Sequence, residues 1–435
     1  LGKTFQKNII PMVALIVLVF VVGYAAIVLE HKISVDKSSS ALLTGVLAWT
    51  VVAVISTNMH ETTEQLNHHV SEIASILFFL MGAMTIVELI DTYDGFDIIT
   101  EKITTTSQSR LLWIICLITF FLSALLDNLT TTIVMVALLK KLVVNPKLRL
   151  LFVGLVVVSA NAGGAWSPMG DVTTTMLWIG GQISAGHIIK SLFFPSLICM
   201  LIPLFILSRT LRGNLEEKTE KEEEDLNRNH FEKNIIFWTG IGGLISVPIF
   251  KTITHLPPFM GMLLALGTIW AVAEILMKNK DEQYKKEFSV YKALQKIDMP
   301  SVLFFLGILL AVSALQTVGL LTSAADWLTA TLKNQTLIVT VIGLLSSVVD
   351  NVPLVAAAMG MYSLEQFPVD SEFWELLAFC AGTGGSALII GSAAGVAAMG
   401  LEKIDFFWYL KKISWLALIG YFAGIGVFLL QKSIF

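Results

Sequence analysis

Ser123-Ala124-Leu125-Leu126-Asp127-Asn128-Leu129-Thr130-Thr131 decides the reading of this chain, because it recurs as Ser346-Ser347-Val348-Val349-Asp350-Asn351-Val352-Pro353-Leu354. Each copy places an Asp-Asn pair in the middle of a long apolar stretch. A glycine pair follows at nearly the same distance in both, as Ala160-Asn161-Ala162-Gly163-Gly164 and as Ala381-Gly382-Thr383-Gly384-Gly385. A buried acid and an interrupted helix are each unfavourable at membrane depth, so their joint recurrence points to a substrate site. Interrupted segments at corresponding positions of two halves are the sequence mark of a secondary transporter.

Working outward, 55% of the 435 residues are hydrophobic and only 14% are charged. A soluble domain carries roughly 25% charged residues. The charges cluster and leave apolar runs of about 17–22 residues, each long enough to cross a bilayer. The expected fold is an all-α integral membrane protein. Ten spans are predicted at 9–29, 39–57, 73–91, 150–183, 188–209, 234–250, 258–277, 299–321, 373–400 and 405–431. Segments 109–145 and 335–363 each read as two apolar halves around an Asp-Asn break, hence as re-entrant hairpins. Spans 150–183 and 373–400 are long and glycine-interrupted, hence expected to unwind near the midplane at the glycine pair. The three cysteines, Cys116, Cys199 and Cys380, lie far apart in apolar segments and read as packing residues.

Sidedness of charge tests that layout. Following the chain through the spans puts all but Lys3, Lys7, Lys190, Lys251, Lys333 and Lys432 of the 29 lysines and arginines on one side. That side is then cytoplasmic, and both termini fall on the other. The feet of the two hairpins also come out on opposite sides, so the chain reads as two inverted repeats of five spans and one hairpin each. Leu77-Phe78-Phe79-Leu80 and Leu303-Phe304-Phe305-Leu306 add a third matched landmark. The run Glu-Glu-Lys-Thr-Glu-Lys-Glu-Glu-Glu-Asp within 210–233 reads as a solvated linker between the halves. A start at Leu1 rather than Met suggests a processed or trimmed leading segment.

At the first tip Asp127 and Asn128 offer side-chain oxygens, and Thr130, Thr131 and Thr132 offer hydroxyls. The facing broken span adds Asn161, Gly163, Asp171, Thr173 and Thr174. Backbone carbonyls freed by the break, with carboxylate and hydroxyl oxygens, are the hard ligands that an alkali cation takes. Asp171 also stands where an N-cap of the following half-helix belongs. The second repeat is depleted: it keeps Asp350, Asn351, Thr383 and Ser386, replaces the tip threonines with Pro353 and Leu354, and has Ser392 where Asp171 would be. No lysine or arginine lies in a tip or a broken segment. Acids without basic neighbours favour a cation over a carboxylate or oxyanion, and a proton can compete with sodium for such a carboxylate. Glu88, near the end of the third span, is a candidate for proton access or pH response. His60, His68 and His69 are expected in an outer loop, as plain loop polarity or a pH sensor.

At these motifs the chain resembles the NhaD-type sodium/proton antiporters of the ion transporter superfamily. The resemblance rests on Ala-Leu-Leu-Asp-Asn-Leu-Thr-Thr-Thr, on Ser-Ala-Asn-Ala-Gly-Gly-Ala-Trp-Ser-Pro-Met-Gly-Asp-Val-Thr-Thr-Thr and on Ser-Ser-Val-Val-Asp-Asn-Val-Pro-Leu. It implies exchange of Na+ (or Li+) for H+ across a bacterial inner membrane by a homodimer working as an elevator. The scaffold would be 1–108 and 234–334, and the transport domain 109–209 and 335–435, with 210–233 as linker. It further implies sodium bound at Asp127, Asn128, Asn161, Asp171 and Thr173, with Thr130 and Gly163 beside them. The alternative within the superfamily is a Na+-coupled carboxylate or oxyanion transporter. An intramembrane aspartyl protease would explain two membrane aspartates but not the second Asp-Asn copy. No enzymatic activity, organic cofactor or nucleic-acid partner is expected.

Overall fold

Helices make up the chain because in a bilayer only a helix satisfies its own backbone polar groups. The computed structural model describes residues 2–100, 103, 105–211, 213–215 and 230–434, with backbone alone at 2–13, 31–32 and 99–100. The acidic run of the expected 210–233 linker lies outside the described residues. The first half holds α1 (Gly2–Val28), α2 (Lys37–Ile55), α3 (Met59–Thr92), α4 (Gln108–Leu126), α5 (Asn128–Leu142), α6 (Pro146–Ala165), α7 (Val172–Ile179) and α8 (Ala185–Thr210). The second half begins with α9 (His230–Thr254) and α10 (Pro258–Met277), followed by the short α11 (Glu282–Phe288) and α12 (Val290–Lys296). It continues with α13 (Met299–Thr317), α14 (Leu320–Leu332), α15 (Gln335–Leu345), α16 (Asn351–Met361), α17 (Glu372–Gly384), α18 (Ala393–Glu402) and α19 (Phe406–Ile434). Among the described residues nine helical stretches are long and apolar enough to cross a membrane, or ten if a bent pair counts as one span. The one β feature described is an isolated bridge between Ser107 and Asn214.

Two helices form the centre. Every residue of α6 from Phe152 to Ala165 is buried, as is every residue of α17 from Phe373 to Gly384. A helix that is apolar all round belongs inside a bundle, and both of these carry the glycine pairs. The first pair does not break its helix, contrary to expectation, whereas the second stands where the α-helix gives way. Gly163 and Gly164 lie within α6, and Gly384 ends α17, with Gly385 opening a single 3-10 turn to Ala387. Their role is close approach. A Cβ on Gly163 would sit 2.2 Å from the Phe120 carbonyl oxygen of α4, and one on Gly384 2.0 Å from the Gly343 oxygen of α15. The unwound residues come later, at 166–171 and 388–392, where Pro168 removes a donor in the first copy.

The packing recurs between the halves in detail. Ser123 Oγ donates to the Ala160 carbonyl (2.6 Å), and Ser346 Oγ to the Ala381 carbonyl (3.1 Å). Gly170 lies against the backbone of Ser123, and Gly391 against that of Ser347. Across the halves, α5 packs on α18 and α16 on α7. Arg149 Nε meets Glu402 Oε2 at 2.9 Å, joining the start of α6 to the end of α18. At the corresponding place Ser184 N and Oγ donate to the Asp370 carboxylate (2.6 and 2.7 Å).

Outside this centre α2 lies along α13 at van der Waals limit, since a Cβ on Gly45 would come 2.5 Å from the Gly307 oxygen. Small residues let membrane helices approach in this way. Two expectations fail here. His60, His68 and His69 are on α3, which starts at Met59 under an Asn58 cap, and not in a loop. The span predicted at 299–321 stops at Thr317, and the separate α14 follows it. The three cysteines are free and buried, as expected of packing residues.

Candidate functional site

Three aspartates begin three half-helices, and all three line one cavity. Asp127 is the single non-helical residue between α4 and α5, with φ +105°, and its carboxylate accepts from Thr130 N and Thr130 Oγ1, both at 2.8 Å. Asp171 caps α7, its Oδ1 accepting from Thr173 N and Oγ1 at 2.8 Å each. Asp350 caps α16 through Val352 N at 3.2 Å. An acid at each helix start offsets the positive end of that helix. The carbonyl end of α4 lies directly beside Asp127, at Leu126, and that of α6 lies at Ala165, a few residues before Asp171.

Asp171 is the centre of a buried network and only 1% exposed. Asn128 Nδ2 donates to its Oδ2 at 2.8 Å and to Asn161 Oδ1 at 2.9 Å. Asn351 Nδ2 reaches the same carboxylate at 3.3 and 3.4 Å. Asn161 Nδ2 then donates to Ser386 Oγ and Ser392 Oγ, both at 2.9 Å. The asparagines of both Asp-Asn pairs thus converge on one carboxylate, and the network spans both halves.

Of the residues expected at the site, Asn128, Asn161, Asp171, Thr173, Asn351 and Ser386 are joined by these bonds. Asp127, Asn128, Asp171, Asp350 and Asn351 line the cavity. Thr174 Oγ1 donates to the Asp171 carbonyl (2.9 Å), so it supports the cap. Thr131 is fully buried with its hydroxyl unpartnered. Thr383 does not take part, because its hydroxyl bonds the Phe379 carbonyl one turn back (2.6 Å). Asn161 contributes its side chain from within a helix rather than from unwound backbone, and Gly163 lies in the last turn of α6. Glu88 is outside the cavity lining and pairs with Lys296 at 3.0 Å, bracing α3 against α12. Among the described residues, no three acids, histidines or cysteines converge closely enough to grip a metal by themselves.

Two features were missed. Lys37, at the first turn of α2, lines the cavity and stacks over the Phe304 ring at 4.9 Å. Its distance in sequence from the aspartates hides it. The walls come from Phe79 and Leu80 of α3 and Phe305 of α13, members of the matched Leu-Phe-Phe-Leu landmarks. The signal for these was present, but it read only as a repeat marker.

The cavity leaves about 40 Å³ open to the centre of a water molecule. At about 10–15 Å³ per water that is room for roughly three. A separate vestibule of about 480 Å³ lies on the far side of α7 and α16, where Met176 and Met359 face it and none of the three aspartates does. His68 and His69 stand at its rim, each 3.4 Å from a different oxygen of Glu72.

A polytopic helical protein whose broken helices bring three acids to one small cavity belongs to the class of membrane transporters for ions. Residues 4–374 match the citrate transporter family. The chain is 49% identical to sodium/proton antiporter 1 of Arabidopsis thaliana, over 95% of this chain and 71% of that protein. It is 48% identical to sodium/proton antiporter 2 of the same plant, over 95% and 98%. It is 30% identical to the Na(+)/H(+) antiporter NhaD of Alkalimonas amylolytica, over 94% and 89%. The chain belongs to the NhaD-type sodium/proton antiporters within the citrate transporter family.

Proposed function

We propose that the protein exchanges Na+ (or Li+) for H+ at the Asp127–Asp171–Asp350 cavity, with the two ions competing for buried carboxylate. The observation that carries this is the cavity's content: three acids, one lysine and room for a few waters. Such a space suits a partly dehydrated alkali cation, and its net negative charge repels a polyanion. Asp171, held by Asn128, Asn351 and Thr173, is the principal carboxylate; Asp127 and Asp350 flank it.

The two halves are read as inverted repeats, each with a re-entrant hairpin (α4–α5 and α15–α16). The cross-packing of α5 on α18 and α16 on α7 supports that reading. So does the recurrence of the serine and glycine contacts. The scaffold is assigned to 1–108 and 234–334 and the moving body to 109–209 and 335–435, in a homodimer. The cavity is walled by the first turns of α2 and α13, through Lys37 and Ser301, on the face that carries the basic excess. The opposite vestibule stops short of the carboxylates. This arrangement fits an elevator cycle, with the termini on the face opposite the basic excess. Bacterial and plant relatives both match, so the membrane is any across which an ion gradient is held, the bacterial inner membrane included.

The second reading, Na+-coupled transport of a carboxylate, has the family match in its favour. The two separate in proteoliposomes carrying an internal pH dye. A Na+ pulse without any organic anion moves internal pH if the protein is an exchanger. Sodium-dependent uptake of radiolabelled citrate, with no pH change on Na+ alone, supports the carboxylate reading instead.

A further inference from the structure

We propose that the connection between α10 and α13 forms a binding site for the phosphate headgroup of an anionic lipid. An open groove of about 870 Å³ lies there, lined by Lys278, Lys285, Lys286, Lys292, Tyr291 and Glu274. Four lysines and one acid therefore line the groove. Lys285 pairs with Glu282 at 3.3 Å, and among the described residues no ion pair engages Lys278, Lys286 or Lys292. A surface connector normally disperses its charge among counter-ions. Here the lysines come from both ends of a folded-back segment, with α11 and α12 bringing Lys285, Lys286 and Lys292 beside Lys278 at the end of α10.

The groove's depth in the membrane identifies the ligand. α10 carries no charged residue from Pro258 to Ala273, Glu274 is its first charge, and Lys278 opens the charged run one turn later, so this is where the hydrocarbon ends. Ile275, one turn before it, is 72% exposed and offers an acyl chain an apolar flank. Tyr291 is 65% exposed, and its ring meets Trp270 edge-on at 5.6 Å. An amphipathic aromatic pair at such a level is the usual anchor in the headgroup zone. Lysines grouped on the basic-rich face meet the leaflet where anionic lipids concentrate, and each contributes roughly 1 kcal/mol there, a factor of about five. The chemistry recognised is a phosphate anion, and the apolar flank selects the lipid-borne form over free phosphate.

The test uses the whole protein in neutral detergent, titrated with phosphatidylglycerol, phosphatidylcholine or inorganic phosphate and read by thermal unfolding and native mass spectrometry. Phosphatidylglycerol is expected to raise the unfolding temperature and to remain bound, while phosphatidylcholine and inorganic phosphate leave both unchanged. In Lys286→Gln/Lys292→Gln the apparent affinity for phosphatidylglycerol is expected to fall about 30-fold, whereas Lys190→Gln on the opposite face keeps it. If the double variant folds poorly, Lys292→Gln alone serves, with a fall of about fivefold in retained lipid. Equal retention in the variants overturns the proposal, and so does a shift reproduced by inorganic phosphate, which would mark a free-anion site.

Discussion

Removing the acceptor at Asp171 separates two roles that its network assigns to it. In Asp171→Ala, Asn351 Nδ2 and Thr173 N lose the acceptor they use, and Asn128 Nδ2 keeps only Asn161. A buried donor left unpaired costs about 1–3 kcal/mol, so two of them with the lost cap give roughly 3–6 kcal/mol. Asp171→Asn is different because the amide chain can reverse. The new Oδ1 keeps Thr173, and its NH2 faces Asn128. If Asn128 and Asn161 both turn over, Asn128 accepts from residues 161 and 171, and the hydroxyls of Ser386 and Ser392 donate to Asn161 instead of accepting. Serine hydroxyls serve either way, so only the long Asn351 contact is left to readjust, at about 1 kcal/mol. Thermal unfolding in detergent should therefore show Asp171→Asn close to the parent and Asp171→Ala far below it. Na+-driven proton movement in proteoliposomes should be absent in both. Equal stability of the two variants, or exchange retained by Asp171→Asn, refutes the reasoning.

Gly163→Ala places a methyl 2.2 Å from the Phe120 carbonyl oxygen and must push α4 from α6, costing about 1–3 kcal/mol and displacing Asp127. Gly186→Ala, with nothing within 4 Å, is the neutral control in the same unfolding and exchange assays. Lys37→Met removes the one cation lining the cavity among the described residues and should tighten apparent Na+ affinity by about 3- to 10-fold in initial-rate measurements, an effect that weakens as ionic strength rises. Arg149→Met leaves the Glu402 carboxylate, 4% exposed, without its close partner and should cost about 3 kcal/mol. Arg149→Met/Glu402→Gln should recover most of that loss in the same melt.

What the sequence made legible follows from local chemistry. The Asp-Asn breaks are visible because a short polar pair within an apolar helix has few structural excuses, and the Asp171-Val-Thr-Thr-Thr run carries its own cap signal. The first glycine pair misled because glycine marks both helix ends and close helix contacts. Only the positions of α4 and α15 against α6 and α17 decide between the two. The helical setting of the histidines was legible in Asn58 followed three residues on by Glu61, whose N–H the Asn58 side chain accepts at 3.4 Å. Lys37 was not legible, since nothing local ties the first turn of α2 to aspartates in three other segments. Nor was the polarity of the amide chain, which exists only once both halves are assembled.

Competition between Na+ and H+ for one carboxylate is tested most directly by the apparent KM for Na+ measured against pH in proteoliposomes. On the acid side it should rise about tenfold for each pH unit, with the rate at saturating Na+ unchanged, as mutually exclusive binding requires. An apparent KM that stays flat while the maximal rate falls would place the proton on a separate group and contradict a shared site.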